Sequence, residues 1–269
     1  MDPQEVQRRL DVAWPLARQA GKLTMTLFQR DDVAVERKSD NSPVTQADRQ
    51  AEQLIRQEVA RQFPEDAFLG EEFGEEEGTS GFRWIVDPID GTKSFITGVP
   101  LYGTMIGIEW ERESVAGVVY IPGLDEGVYA RVGGGAWFVR GESEPVAASV
   151  SQRDSLADAV FLTSQVDSFG LRHAAEAYRE LESACYITRT WGDCYGYLLV
   201  ATGRADIMVD PIMSVWDAAA LQPIIEEAGG KFTDWTGQPT IHSEEGLATT
   251  PALFEQVVGV TARFPKPSQ

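Results

Sequence analysis

The sequence is poor in cysteine, in histidine and in positive charge. Its 269 residues include two cysteines and two histidines, and 23 basic residues stand against 42 acidic ones. Cys185 and Cys194 have no C-x-x-C spacing and give no disulfide framework, which predicts a reduced, cytoplasmic protein. His173 and His242 lie far apart and belong to no zinc-like cluster, so we expect both to be surface or structural residues. Catalysis by a Ser/His or Cys/His pair therefore has little support.

Long apolar runs are also missing. No stretch approaches the roughly 18 apolar residues of a membrane-spanning helix, and the start of the chain, Met-Asp-Pro-Gln-Glu, lacks the pattern of a signal peptide. The net charge of −19 opposes binding to a nucleic-acid backbone. We therefore expect neither a membrane nor a nucleic acid as a partner.

The apolar content is sufficient for a sizeable core. Hydrophobic residues make up 43% of the chain and aromatic residues 10%, enough for one large domain or for two halves. Strand-like runs follow one another before the polar stretch 141–153, whereas strands and helices alternate after it. This change predicts an α+β half over residues 1–145 and an α/β half over residues 146–269.

Hydrophobic periodicity locates the individual elements. It predicts a first helix over residues 3–30, and Thr45 with Asp48 forms a capping pattern for a second helix that stops at Pro64. In the second half, helices are predicted over residues 171–181, 193–202 and 216–228. Short strands are predicted over residues 160–162, 186–190, 205–209 and 231–233.

The stretch over residues 84–95 organises the rest of the chain. Trp84–Val86 is a short apolar run that predicts a buried strand. We expect Asp87 to end this strand, because Pro88 cannot donate to a regular ladder. The acidic residue is thus expected at the end of a strand, where its side chain can face a ligand.

The same stretch contains two carboxylates and a predicted turn. Asp90 and Gly91 form a turn signal, and Gly91 lets the backbone approach a ligand closely. A helix that begins near Thr92 would direct its free N–H groups to the point faced by Asp87 and Asp90. Paired carboxylates suit a hard cation such as Mg²⁺, and a helix N-terminus suits a phosphate. Together they indicate metal-assisted phosphoryl chemistry.

Two other acidic motifs do not match this spacing. The aspartyl-phosphate phosphatases separate their two aspartates by one residue, whereas two residues separate Asp87 from Asp90. An EF-hand would need further acidic ligands and a distal glutamate, which do not follow.

Three motifs in order resemble the inositol monophosphatase family. They are Asp87-Pro88-Ile89-Asp90-Gly91-Thr92 with Phe95, Gly70-Glu71-Glu72 upstream, and Trp216-Asp217 downstream. The resemblance extends over nearly the whole chain and implies a layered αβαβα sandwich of the inositol monophosphatase and sugar phosphatase type. It also implies a homodimer.

The resemblance implies a site for two Mg²⁺ ions. Glu71, Asp87 and the Ile89 carbonyl would hold one ion. Asp87, Asp90 and Asp217 would hold the other, although an aspartate at a helix start is usually a cap.

The resemblance also implies how water attacks the phosphate. Glu71 and Thr92 would orient the water for direct in-line displacement without a phosphoenzyme, while the N–H groups of Gly91 and Thr92 cradle the phosphate. Asp48 would help to hold a third, weaker ion, although the dipole of its helix also favours an acid there. Lys38 matches a family lysine beside a loop near the substrate, and a surface role explains it equally well.

Two further aspartates bear on the substrate. Residues 191–197, Trp-Gly-Asp-Cys-Tyr-Gly-Tyr, resemble the histidinol-phosphatase branch, and inositol phosphatases usually have serine or threonine where this chain has Asp193. A carboxylate there would pair with a substrate ammonium group. Asp210 lies seven residues before Asp217, where the family places an acid on the substrate hydroxyls or amine. A helix cap explains Asp193 structurally, and a strand-end turn explains Asp210.

These observations predict a Mg²⁺-dependent phosphomonoesterase that hydrolyses L-histidinol phosphate. An inositol 1-phosphatase, or a broad sugar-phosphate phosphatase, is the alternative. A catalytically idle member of the family that serves as a binding protein is a more remote one, because no metal carboxylate is missing. A nucleotide 3′-phosphatase would need a basic or aromatic insertion, which the sequence lacks.

Overall fold

The computed structural model describes residues 1–30, 34–37 and 43–266. Within them the helices are α1 (Pro3–Met25), α2 (Gln46–Gln62), α3 (Thr92–Ile96), α4 (Asp167–Leu171), α5 (Ala175–Ala184), α6 (Asp193–Ala201), α7 (Val215–Ala218), α8 (Leu221–Glu227) and α9 (Phe254–Thr261). None of these described helices has the length and apolar character needed to cross a membrane.

The described strands form two large sheets and one small ribbon. They are β1 (Val35–Arg37), β2 (Pro43–Thr45), β3 (Ala67–Gly70), β4 (Gly74–Glu76), β5 (Phe82–Asp90), β6 (Gly103–Trp110), β7 (Glu113–Ile121), β8 (Glu126–Arg131), β9 (Gly135–Arg140), β10 (Val146–Ala147), β11 (Val160–Leu162), β12 (Ile187–Arg189), β13 (Ile207–Asp210), β14 (Lys231–Thr233) and β15 (Gly246–Thr249). The first sheet has the order β10-β9-β8-β7-β6-β5-β3-β4, and the second has the order β12-β11-β13-β15-β14.

Alternating side chains join these elements into five layers. On β5, Trp84 packs against α1 and α2, whereas Ile85 faces the opposite side, towards α6 and α8. On β11, Leu162 faces the same two helices, whereas Phe161 packs against α5 and α9. The order is therefore helices, sheet, helices, sheet, helices, and the predicted αβαβα sandwich is confirmed.

Several local predictions in the first half need correction. α1 ends at Met25, five residues before the predicted end, and Gln29, with φ 58°, interrupts the stretch where the helix was expected to continue. β5 does not end at Asp87 but continues to Asp90. Its register with β6 shifts between these two aspartates, so the strand passes Pro88 as a bulge. The predicted cap of α2 is confirmed, since Thr45 and Asp48 form a complete capping box.

The second half shows breaks that hydrophobic spacing did not predict. The helix expected over residues 171–181 begins only at Ala175, as α5, because α4 ends at Leu171 and His173 takes a left-handed conformation, with φ 60°. The helix expected over residues 216–228 is two helices, α7 and α8. Gly229, with φ 85°, then ends α8 as expected.

The second sheet is mixed, whereas an α/β half predicts parallel strands. β11 runs parallel to β12 and β13, but β15, which was not predicted, runs antiparallel to both β13 and β14. α9 was also not predicted. The first sheet takes its strands from residues 67–147 and the second from residues 160–249. The division of the chain after residue 145 stays a prediction.

Candidate active site

The bulge in β5 lies where the side chains of Asp87 and Asp90 come close to that of a third acidic residue, Asp217. Asp87 and Asp90 flank Pro88 and Ile89, where the ladder with β6 is interrupted. Carboxylate oxygens of Asp87, Asp90 and Asp217 all lie within 4.8 Å of one another. We call these three residues the acidic cluster.

Asp217 is held by the start of its own helix. It is the third residue of α7, and its Oδ2 accepts a hydrogen bond of 2.7 Å from the Ser214 N–H. This completes a capping box with Ser214. The same side chain therefore both caps its helix and belongs to the acidic cluster.

The acidic cluster is electrostatically unfavourable without a cation. Asp87 and Asp90 are 3% and 8% exposed. Burial, together with neighbouring carboxylates, raises the pKa of both groups well above the usual range. Burial, partly offset by the Ser214 N–H, raises the pKa of Asp217 to about 7. Three convergent carboxylates of this kind suit a hard divalent cation, so the cluster can hold a metal ion.

A cavity of about 490 Å³ is lined by the acidic cluster together with Glu71 and Thr92. The Thr92 hydroxyl lies 3.1 Å from the Ile89 carbonyl oxygen and 3.4 Å from Asp48 Oδ1, and it donates towards both. The N–H and hydroxyl of Thr45 both donate to Oδ2 of Asp48, and burial raises the pKa of this carboxyl group. Asp48 thus adjoins the cavity through Thr92.

Gly91 separates the acidic cluster from Asp193. It has φ 88° and stands as the N-cap of α3. A Cβ on this residue would lie 2.8 Å from Asp193 Oδ2, so the carboxylate of Asp193 packs directly against the Gly91 backbone. The residue expected to contact phosphate and the residue expected to contact an ammonium group are therefore adjacent.

A second cavity of about 410 Å³ adjoins the first. The two cavities share six lining residues, namely Asp90, Lys93, Ser164, Gln165, Asp193 and Asp217. A phosphate beside the acidic cluster would therefore have room for an attached organic group on the Asp193 side.

Asp193 is not the cap of α6. The N-cap is Gly192, and Asp193 is the first helical residue, with φ 53°. This left-handed conformation is costly for a residue other than glycine. Burial and the charge of Asp210 raise the pKa of Asp193 to about 6, although Lys93 acts in the opposite direction.

Asp210 is linked to Asp193 through the hydroxyl group of Ser164. Its carboxylate accepts the N–H and the hydroxyl of Ser164, at 2.8 and 2.9 Å, and the hydroxyls of Thr163 and Tyr197. The Ser164 Oγ in turn accepts the Asp193 N–H at 2.8 Å. Asp210 also lines the second cavity, but both of its oxygens are engaged by these donors.

Sequence reasoning missed three residues that line both cavities. They are Lys93, Ser164 and Gln165. Ser164 could have been found, because it is the second residue after the end of β11, and strand ends in layered α and β folds line ligand sites. Lys93 comes directly after Thr92, between the Asp87–Thr92 motif and Phe95, and it donates to Gln165.

The remaining candidates lie elsewhere. Lys38 lies outside the described residues. His173 is exposed at the turn between α4 and α5, and His242 pairs with Glu109, so neither lies among the residues that line the two cavities. Both cysteines are free, and the Cys194 N–H donates to Asp90.

Comparison with known proteins agrees with this geometry. The inositol monophosphatase family matches residues 5–263. A histidinol-phosphatase of Chlorobaculum parvum is 46% identical over 242 residues, which are 89% of this chain and 91% of that protein. A histidinol-phosphatase of Mycobacterium tuberculosis is 37% identical over 93% of this chain and 96% of that protein.

A solved structure extends the likeness to the fold. An IMPase of Thermotoga maritima superposes with a TM-score of 0.84 at 32% identity, over 96% of this chain and 98% of that one. The sequence match, the sandwich and the acidic cluster lead to one conclusion. The chain belongs to the inositol monophosphatase family and is a phosphoric monoester hydrolase.

Proposed function

We propose that this phosphatase uses Mg²⁺ to hydrolyse L-histidinol phosphate to L-histidinol and phosphate. The observation that carries the proposal is the position of Asp193, whose carboxylate lies against Gly91 beside the acidic cluster. A substrate with its phosphate at the cluster and an ammonium group a few atoms away would meet this carboxylate. L-Histidinol phosphate has an ammonium group on the carbon next to its phosphorylated carbon.

Two sets of residues would each hold one metal ion. Asp87, Asp90 and Asp217 would hold one Mg²⁺, and Glu71, Asp87 and the Ile89 carbonyl would hold another. Bound Mg²⁺ supplies positive charge that favours ionised water and offsets the charge of the leaving alkoxide. The raised pKa values of the buried aspartates support this proposal, because a bound cation would favour their ionised form.

Water and phosphate would be positioned by residues of the chain. Glu71 accepts a proton from the attacking water, and Thr92 orients this water through its hydroxyl. The Thr92 hydroxyl donates towards the Ile89 carbonyl and Asp48, which supports that role and would connect Asp48 to the site. The N–H groups of Gly91 and Thr92 would contact the phosphate. Because water attacks directly, no phosphoenzyme forms.

Asp193 would discriminate between substrates. A carboxylate with pKa about 6 is mostly ionised at pH 7.5, so it would form a charge-assisted hydrogen bond to an ammonium group. A polyol phosphate offers no positive charge and would leave this carboxylate unpaired. The similarity to two histidinol-phosphatases, at 46% and 37% identity, supports the same substrate.

The test compares two substrates on three proteins. We expect wild type with Mg²⁺ to release phosphate faster from L-histidinol phosphate than from inositol 1-phosphate. Asp193→Asn should lose at least roughly tenfold in kcat/KM for L-histidinol phosphate, since hydrogen bonds to charged groups are worth about 1.5–3 kcal/mol. Asp158→Asn, which changes an exposed aspartate, is the matched control and should behave as wild type.

Other outcomes would point to the alternatives. Equal rates on both substrates, or faster release from inositol 1-phosphate, would indicate an inositol 1-phosphatase or a broad sugar-phosphate phosphatase. No release from either substrate with Mg²⁺ present would indicate a catalytically idle member of the family.

We also propose that the protein is a cytoplasmic homodimer. The two free cysteines fit a reducing compartment, and the dimer follows from the family resemblance. Analytical ultracentrifugation at micromolar concentration should give twice the 29.6 kDa mass of one chain. A single species with the mass of one chain would contradict the dimer.

A further inference from the structure

Glu52 is a buried carboxylate that lies outside the acidic cluster. It stands on α2, one helical turn after Asp48, and both residues are 0% exposed. Its Oε2 accepts the Glu72 N–H at 2.7 Å, and its Oε1 accepts the Phe73 N–H at 3.1 Å. The carboxylate therefore binds the backbone directly after Glu71.

Glu71 lies at the tip of the hairpin formed by β3 and β4. On one side it is tied to the sheet, since its N–H donates to the Val86 carbonyl at 3.2 Å. On the other side the tip has little apolar anchoring, because the Phe73 side chain is 51% exposed. The two N–H bonds to Glu52 thus restrain the end of the tip that packing leaves open.

The close approach of Glu52 to the hairpin is built into the sequence. A Cβ on Gly70 would clash with the Glu52 carboxylate, so a larger residue at this position would displace that carboxylate from the hairpin. The negative charge is balanced by Arg56, whose Nη2 lies 3.0 Å from Glu52 Oε1. Arg56 also donates to the Gly74 carbonyl and pairs with Glu76, so it holds strand β4 of the same hairpin.

We propose that Glu52 is a positioning residue that fixes the Glu71 carboxylate for metal binding. The inference rests on the proposed function, in which Glu71 holds Mg²⁺. Removing one of the two N–H bonds would let the tip move, and the Glu71 carboxylate would then sample positions outside the cavity. Loss of an outer partner of this kind costs roughly 10–100-fold in metal affinity.

Glu52→Gln tests the proposal, because an amide offers one oxygen where the carboxylate offers two. Glu109→Gln is the matched control, since Glu109 is also buried in the fold and paired with an arginine, Arg83. Calorimetric titration of Mg²⁺ into each metal-free protein should give a roughly tenfold weaker Kd for Glu52→Gln and an unchanged Kd for Glu109→Gln.

Hydrogen–deuterium exchange gives a readout that does not depend on activity. In metal-free Glu52→Gln, peptides that cover residues 70–77 should exchange faster than in wild type, while peptides of α1 should not change. Should Glu52→Gln fail to fold, Glu52→Asp keeps the charge but shortens the side chain, and the same two measurements apply.

The outcomes separate this inference from the proposed function. Wild-type Mg²⁺ affinity and wild-type exchange over residues 70–77 in the Glu52 variant would overturn the positioning role. A similar loss of Mg²⁺ affinity in Glu109→Gln would also overturn it, because the effect would then be general. Absence of Mg²⁺ binding by wild type would instead overturn the proposed function itself.

Discussion

Asp193 occupies a backbone conformation that few residues other than glycine adopt. Its φ of 53° and its buried charge beside Asp210 both cost free energy of folding. Such strain is typical of residues that are kept for binding or catalysis rather than for stability. In this conformation the carboxylate lies against Gly91.

Asp193→Asn should therefore stabilise the protein while it removes substrate preference. Asparagine tolerates the left-handed region and carries no charge, so we expect a gain on the order of 1 kcal/mol in the free energy of unfolding at pH 8. Urea denaturation of the metal-free protein measures this gain, with Asp158→Asn as the control. A less stable Asp193→Asn variant would contradict the account of strain and buried charge.

The sequence predicted the aspartates of the acidic cluster, but it did not predict Glu52, the residue proposed to position Glu71. Asp87, Asp90 and Asp217 stand in recognisable motifs, and the structure brings them within reach of one ion. Glu52 stands in no motif, because its role depends on a hairpin that packs against α2. Contacts of this kind arise from tertiary packing, and hydrophobic spacing does not encode them.

At the scale of elements, the end of β11 determines how α6 begins. Ser164 follows β11 and links Asp210 on β13 to the first residue of α6 through three hydrogen bonds. These bonds hold the start of the helix although it has no side-chain cap. The position of Asp193 at the second cavity therefore depends on the alignment of two strands and one helix.

Ser164→Ala should weaken substrate binding more than it slows catalysis. It removes the hydroxyl that joins Asp210 to Asp193, so we expect KM for L-histidinol phosphate to rise severalfold while kcat changes less. Steady-state kinetics measure both constants. Ser80→Ala, a half-buried serine that bonds to Asp66 outside both cavities, is the control. Equal losses in the two variants, or a fall in kcat alone, would contradict this view.

The elements themselves were predicted unevenly for physical reasons. The apolar run Trp84–Val86 marks β5 from pattern alone, although the strand continues past its predicted end at Asp87. β15 is short and begins with Gly246, so its sequence gives little sign of a strand. Periodicity also continues through His173, where the break between α4 and α5 comes from a single left-handed residue.

At the scale of the whole molecule, the acidic cluster couples folding to pH and to metal. Burial raises the pKa of Asp217 to about 7, whereas an unfolded aspartate has a pKa of about 3.9. The folded state thus binds more protons between these values, and this contribution to stability is lost as pH rises through about 7. A cation that neutralises the cluster would remove the loss.

The metal-free protein should therefore unfold at a lower temperature at pH 8 than at pH 5. Added Mg²⁺ should raise Tm more at pH 8 than at pH 5, because the cluster is ionised only at the higher pH. Calorimetry in EDTA and in Mg²⁺ measures both effects. Asp217→Asn keeps the oxygen that accepts the Ser214 N–H and should show a flatter pH dependence. A wild-type profile as flat as that of the variant would contradict the coupling.

The five-layer order was predicted through resemblance, while the direction of each strand was not. Alternation of side chains shows which face of a strand is buried but not whether its neighbours run parallel or antiparallel. The mixed character of the second sheet depends on β15, which enters between β13 and β14 from the far end of the chain.

The middle layer of the sandwich packs against both sheets, since one hydrophobic core contains residues of both sheets together with residues of α6 and α8. A cut after the exposed Glu144 would leave Asp87 and Asp90 on one fragment and Asp217 on the other. Strand β10 would then pair with β9 across the cut. Neither fragment would carry a complete acidic cluster, so phosphate release would report their reassembly. The enzyme is in this sense a natural candidate for a split reporter.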